Sequence, residues 1–178
     1  MALTKVIGSG IGTVANQFAD ANMSSQSVIQ IIQGGRTTSV THNSTTYTDV
    51  GVSAAIQPSS TSSKIFIMLT GTLGNANTGN HTILRMFRGI SNTNFALIGN
   101  GTGGGNSNLN GFMGMIQGST AHPFSGFGQT FLDAPSTTTS TTYKIQMAAL
   151  NGTGSLGRRG DDAQAAIPTR LILMEIAG

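Results

Sequence analysis

The stretch Ser63-Lys64-Ile65-Phe66-Ile67-Met68-Leu69-Thr70-Gly71 is the densest apolar run in the chain. It is much shorter than the roughly 20 apolar residues that a membrane-spanning helix needs. It is rich in β-branched and aromatic residues, and a strand with one wet face would alternate with polar residues, so the run predicts a strand buried on both faces. The C-terminal run Arg170-Leu171-Ile172-Leu173-Met174-Glu175-Ile176 is predicted to be its counterpart.

Short strands separated by turn residues are predicted for the rest of the chain. Clusters such as Ser59-Ser60-Thr61-Ser62 after Pro58 mark the turns, and Gly34-Gly35 predicts a turn after the first strand. About nine short strands and no convincing long helix predict an all-β fold, an antiparallel, jelly-roll-like β-sandwich. The predicted strands are residues 26–33, 52–57, 63–71, 82–90, 95–98, 112–116, 128–132, 142–148 and 167–176.

Residues 1–25 are predicted to form an extended N-terminal arm, separate from a single sandwich domain of residues 26–178. Gly8, Gly10 and Gly12 interrupt its apolar positions, and each glycine costs a helix about 1 kcal/mol. An apolar, glycine-broken terminus fits an arm that becomes ordered on a partner, and a disordered tail is the alternative. The candidate partner contacts are Leu3, Lys5, Val6, Ile7, Ile11, Val14 and Phe18.

Composition excludes several classes of function. The 178 residues suit one domain, and only 8% are charged, against about 25% in an average protein. The nine basic residues are scattered and the net charge is +3, which predicts no nucleic-acid partner. The absence of cysteine excludes a disulfide framework and thiolate chemistry. Neither a signal peptide nor a membrane segment is predicted.

No catalytic, cofactor or metal site is predicted, and we expect a protein that is not an enzyme. His42, His81 and His122 are far apart and next to turn residues. Asp161 and Asp162 would point to opposite faces of a strand, and Ca²⁺ needs about 6–8 oxygen ligands. The tripeptide Arg159-Gly160-Asp161 matches an integrin-type motif but is interpreted as a solvated turn.

Several segments resemble structural proteins of tailed bacteriophages, especially phages of cyanobacteria and marine bacteria. The similar segments are Ala54-Ala55-Ile56-Gln57-Pro58-Ser59-Ser60, Ser63-Lys64-Ile65, Tyr143-Lys144-Ile145-Gln146 and Leu171-Ile172-Leu173-Met174-Glu175-Ile176. The opening Ala2-Leu3-Thr4-Lys5-Val6 is similar to the start of many tail-fibre and tailspike chains. The resemblance implies a non-enzymatic virion protein, most often trimeric, with no catalytic residues and no cofactor.

Two roles are consistent with this resemblance. One is a capsid decoration (cement) protein that binds the major capsid protein, favoured by the small single domain and the arm. The other is a short tail fibre or receptor-binding tip on a tail adaptor, favoured by the fibre-like opening and by loops 74–80 and 100–110. A third alternative, a small carbohydrate-active enzyme on a sandwich, would need two acids in one cleft, and the six acids of the chain are too sparse to favour it. Either virion role implies that the protein is located on the particle surface, and in the host cytoplasm during assembly.

A homotrimer is the predicted assembly. The central strand is predicted to be apolar on both faces, which is more than one small sandwich readily covers, and neighbouring copies around an axis would supply the cover. The candidate interface residues are Ile65, Ile67, Leu69, Leu171 and Leu173.

Overall fold

The computed structural model describes residues 24–76, 79–102, 110–116, 124–160 and 166–178. No α-helix occurs in these ranges, so they contain no helix that could cross a membrane. The described strands are β1 (Val28–Arg36), β2 (Val40–His42), β3 (Thr48–Ile56), β4 (Lys64–Asn75), β5 (His81–Ile90), β6 (Thr93–Ile98), β7 (Met113–Ile116), β8 (Phe124–Asp133), β9 (Thr141–Leu150), β10 (Gly154–Leu156) and β11 (Thr169–Ile176).

Two antiparallel sheets share these strands. The larger sheet has the order β1-β11-β4, with β8 on the other edge of β4, and the short β10 and β2 continue from the far end of β4. The smaller sheet has the order β3-β9-β5-β6, with β7 also on β5. If the eight longest strands are numbered along the chain, the strand order in one sheet is first, eighth, third and sixth. The order in the other sheet is second, seventh, fourth and fifth. This is the order of a jelly roll, and it confirms the predicted fold class.

The core lies between the two sheets. Alternating side chains of β4 and β11 point inward from the larger sheet, and those of β3, β5 and β9 point inward from the smaller one, because successive side chains of a strand face opposite ways. The fully buried members with the largest side chains are Tyr143, Ile56, Ile65, Ile67, Leu69, Leu73, Leu84, Met86, Ile145, Met147, Leu156 and Leu171. The strand predicted at 142–148, with one buried face, is thereby confirmed: it lies within β9, and Tyr143, Ile145 and Met147 form its buried face.

The predicted turn at Gly34-Gly35 is wrong, because β1 continues through both glycines to Arg36. A Cβ atom on Gly34 would lie 2.1 Å from the carbonyl oxygen of Ser53 in the facing sheet. A Cβ atom on Gly35, which has φ +134°, would lie 2.2 Å from the carbonyl oxygen of Thr169. The two glycines therefore allow the backbones to approach closely and do not form a turn.

The predicted loop at 151–162 contains the strand β10, which the sequence analysis missed. Gly154, Ser155 and Leu156 are all buried, and β10 pairs with the end of β4, which is longer than predicted. The Ser155 hydroxyl lies 3.0 Å from the carbonyl oxygens of both Arg158 and Arg159. Three residues without alternation are too short to be recognised as a strand, so only the pairing with β4 reveals this one.

Candidate interaction surface

The outward side of the larger sheet carries apolar side chains from four neighbouring strands. In the row that runs from β1 through β11 and β4 to β8, Ile31 is opposite Met174, Met174 opposite Phe66, and Phe66 opposite Leu132. In the next row Ile172 is opposite Met68. Ile31 is 60% exposed and Leu132 50% exposed, and the other four are half-buried. We call Ile31, Phe66, Met68, Leu132, Ile172 and Met174 the apolar outer face.

This face has a simple origin in the sequence. A continuous apolar run places one set of side chains on each side of its strand. In β4 the inward set of Ile65, Ile67 and Leu69 is fully buried, whereas the outward residues Phe66 and Met68 keep part of their surface in water. The sequence predicts that both faces of this strand are buried. In a single chain only the inner face is fully buried, and the outer face is partly exposed.

The outward side of the smaller sheet mixes polar and apolar side chains, since Leu97 is 47% exposed there and lies opposite the half-buried Phe87. Asp49 accepts hydrogen bonds there from Lys144 Nζ at 3.0 Å and from Gln146 Nε2 at 2.8 Å. The Lys144 ammonium also lies 3.9 Å from the centre of the Phe95 ring. Charged and hydrogen-bonding groups thus lie among the apolar side chains on this side, whereas the centre of the apolar outer face has none.

An open depression of about 480 Å³ lies at one end of the apolar outer face. Its lining includes Phe66, Leu132 and Ile176, with the Lys64 side chain at the margin. Ser25 and Gln26, near the start of the described chain, also line it. The residues predicted for the arm, from Leu3 to Phe18, lie outside the described residues, and their prediction is untested.

The five predicted interface residues lie elsewhere. Ile65, Ile67, Leu69, Leu171 and Leu173 are all 0% exposed and belong to the core between the two sheets. They have no surface to offer a second copy, so the structure corrects this assignment. The outward residues belong to the same two sequence runs, but they are the alternate members of each run. Assigning each run to two faces with a period of two residues would have identified these outward residues.

Asp133, one of two carboxylates that are buried among the described residues, is held by structural partners. Its two oxygens lie 2.8 and 2.9 Å from Arg88 Nη1, and the Tyr143 hydroxyl donates to Oδ2 at 2.8 Å. Burial raises the pKa of Tyr143 well above its ordinary value, and the neighbouring Asp133 raises it further. The tyrosine is therefore a permanent hydrogen-bond donor that fixes this carboxylate between the sheets.

Glu175 points inward at the end of β11 and is fully buried. Its carboxylate accepts hydrogen bonds from Gln30 Nε2 at 2.5 Å and from the Ser59 backbone N–H and hydroxyl, each at 2.7 Å. Burial acts to raise the pKa of Glu175, but the hydrogen bonds outweigh it and lower the pKa below 4.5. This carboxylate ties the 59–60 turn to β1 and β11.

We expect stability to depend on pH through Glu175. Because its pKa is lowered on folding, its contribution is complete above the unfolded value near 4.5 and is lost as pH falls through the folded value. The melting temperature of a Glu175→Gln variant should therefore lie below that of the unaltered protein at pH 7, and the gap should narrow below about pH 4.5. Circular dichroism melts from pH 7 to pH 3 measure this gap. A gap that stays constant over the whole range would contradict the assignment.

No constellation of reactive groups is found in the described ranges. His42 lies on β2 with its Nε2 atom 2.7 Å from the carbonyl oxygen of Thr46. Within those ranges, no three His, Asp or Glu side chains lie close enough together to hold a metal ion. His122, Asp161 and Asp162 fall outside the described residues. Arg159 and Gly160 of the integrin-type tripeptide are described, and Gly160 is buried against Asn75 rather than solvated.

The fold and this surface define a small jelly-roll protein with one apolar outer face. No family model matches the sequence, and no curated protein matches it. Among solved structures, the chain is similar to the structure of the infectious bursal disease virus Gt strain, with 12% identity and a TM-score of 0.47 over 87% of this chain and 39% of that one. It is also similar to the crystal structure of the infectious bursal disease virus VP2 subviral particle, with 10% identity and a TM-score of 0.41 over 84% of this chain and 38% of that one.

The chain thus spans about two fifths of the length of these solved structures. With TM-scores of 0.47 and 0.41, the likeness assigns no function to this chain.

Proposed function

We propose that this protein is a non-enzymatic structural protein of a phage particle, a capsid decoration protein that binds the head shell and stabilises it. The observation that carries the proposal is the apolar outer face, which is built for association and contains no reactive group. Domains of viral capsids commonly use jelly rolls, although lectins and enzymes use them too, so the fold alone does not decide the role. The resemblance of several sequence segments to phage structural proteins is the second support.

The location of the protein in intact particles tests this role. An antibody or a gold-labelled tag on the C-terminal Gly178, viewed by electron microscopy, should mark the heads in a regular array and leave the tails unmarked. Label confined to the tail tips would replace this proposal with the fibre role. Particles without any label would overturn both roles.

A fibre tip that contacts the host surface is the second candidate, and one observation favours it. A groove of about 290 Å³ on the smaller sheet has a lining that includes Asp49, Asn92, Phe95 and Lys144. An aromatic ring among hydrogen-bonding side chains is a suitable contact for a sugar. Loss of host adsorption in an Asn92→Ala/Phe95→Ala variant whose particles are otherwise intact would favour this candidate.

Attachment through residues 1–22 is the part of the proposal that a deletion tests. Leu3, Val6 and Ile7 are apolar, and burying one such side chain on a partner is worth about 1.5–3 kcal/mol before the cost of ordering the chain. Several copies that act together would gain further by avidity. We expect the deletion to abolish incorporation into particles while the melting temperature stays within a few degrees.

The deletion has a matched control and a clear failure. A variant with Thr4→Ala and Ser9→Ala, which keeps the apolar residues, should still be incorporated. A truncated protein that fails to fold would show that the segment belongs to the sandwich. A truncated protein that attaches at full occupancy would show that attachment runs through the sandwich itself.

A further inference from the structure

We propose that the apolar outer face is the contact between copies of this chain, and that its occupant is the same face of a neighbouring copy. The side chains involved are Ile31, Phe66, Met68, Leu132, Ile172 and Met174. The inference rests on an assembly role for the protein, but it concerns the purified chain and names the surface by which copies meet.

The size of the face suits a contact between copies. The whole outward side of β1, β11, β4 and β8, with about four positions on each strand, covers on the order of 500 Å². This area includes the polar and charged positions around the six apolar side chains. That is somewhat over half of the roughly 800 Å² that each partner buries in a stable interface, and flanking residues such as Val28, at 46% exposure, would add to it.

The composition of the face matches the centre of an interface. Aromatic residues and methionine are enriched in interfaces, and charged residues are depleted from their centres. Phe66, Met68 and Met174 occupy the middle of this face, and polar residues such as Gln33 and Thr130 surround them. A flat sheet can pack on another sheet at about 10 Å separation, as the two sheets of a sandwich do.

The charges favour another copy over a strongly charged partner. Lys64 and Arg170 are at opposite ends of the face, six residues apart in register and therefore about 20 Å from each other, where their charged ends can remain in water. The acids of the described chain are engaged elsewhere: Asp49 with Lys144, Asp133 with Arg88, and Glu175 with Gln30 and Ser59. Contact between copies is thus apolar, and the net charge of +3 opposes it only weakly.

Lysine substitutions on the apolar outer face, and matched ones on the smaller sheet, test the proposal. Ile31→Lys/Leu132→Lys changes the two most exposed members of the face, so the fold should tolerate the change. Ile90→Lys/Leu97→Lys makes the same substitutions on the smaller sheet, at positions that are 39% and 47% exposed. The mass of each full-length protein is measured by light scattering after gel filtration over a range of concentrations, and melts confirm that each is folded.

We expect the unaltered protein and the Ile90→Lys/Leu97→Lys control to have twice the 18.2 kDa chain mass, because a face that packs on the same face of another copy closes as a pair. The Ile31→Lys/Leu132→Lys variant should be monomeric, with a dissociation constant raised about a hundredfold or more. An unaltered chain that is monomeric at tens of micromolar would overturn the proposal. A variant that keeps the mass of the unaltered protein would also overturn it, and would point to another surface.

Cross-linking keeps the test decisive if the lysine variant fails to fold. The chain has no cysteine, so a Leu132→Cys variant and a Leu97→Cys control each carry a single thiol. A short bismaleimide should join chains of the Leu132→Cys variant and leave the Leu97→Cys control unjoined. Equal joining of both, or of neither, contradicts the proposal. Both measurements use purified protein, so a negative result rejects this contact without deciding where the protein lies in particles.

Discussion

Replacing Ile67 with alanine should lower the free energy of unfolding by about 2–5 kcal/mol, the range measured for truncating a large aliphatic side chain in a core. Ile67 is 0% exposed and packs in the core between the sheets, next to Phe131 and Leu173 on the paired strands. The truncation removes buried methyl groups and leaves a cavity that the surrounding strands cannot fill by relaxing. Urea denaturation at a fixed protein concentration measures the change.

A control on the same strand sharpens this test. Thr70 lies on the outward side of β4 and is half-buried, and Thr70→Ala should change the free energy of unfolding by no more than about 0.5 kcal/mol. If Ile67 were instead at an interface between copies, Ile67→Ala would cause dissociation while the separated chain kept its stability. That outcome would restore the interface predicted from the sequence and contradict the buried position in the structure.

Replacing Asp133 with asparagine should lower the free energy of unfolding by about 2–4 kcal/mol, because it leaves the Arg88 guanidinium beside a neutral group. Loss of one partner of a fully buried ion pair costs about 3–5 kcal/mol, and the Arg88 side chain, which is 24% exposed, moderates that cost. The substitution also weakens the hydrogen bond from the Tyr143 hydroxyl. Chemical denaturation measures the loss.

The exposed ion pair between Lys144 and Asp49 provides the comparison. The Asp49 side chain is 53% exposed, so Asp49→Asn should cost less than about 1 kcal/mol, as exposed ion pairs usually do. Tyr143→Phe, which removes only the hydroxyl, should cost about 1 kcal/mol. Equal costs for Asp133→Asn and Asp49→Asn would show that the carboxylate between the sheets is not a structural anchor.

The apolar outer face holds the apolar residues of the central run that the core of one sandwich does not cover. A run such as Ile65–Leu69 contains more apolar surface than one sandwich covers, and the structure leaves the excess on Phe66 and Met68. The outward residues Phe66 and Met68 thus replace Ile65, Ile67 and Leu69 as the candidates for association on this strand. The interface prediction failed because every residue of an apolar run looks equally buried when the strand faces are not assigned.

The sequence by itself determined the fold class and most of the strands. Apolar runs of strand length, period-two alternation at 142–148 and clusters of turn residues are local signals, and they predict an antiparallel sandwich. The structure adds that the strands at 63–71 and 170–176 are paired neighbours. The lack of cysteine and the low charge are likewise properties of the chain alone.

Only the tertiary structure decided which face of each strand is inside, because that depends on the facing sheet. Gly34 was interpreted as a turn residue since nothing local shows that Ser53 passes within van der Waals distance of it. Likewise, Asp133 meets Arg88 across 45 residues of sequence, a pairing that no spacing rule contains. Burial, close backbone approach and ion pairing all depend on contacts between segments that are distant in the sequence. They are therefore determined by how the strands pack together and not by the local pattern of residues.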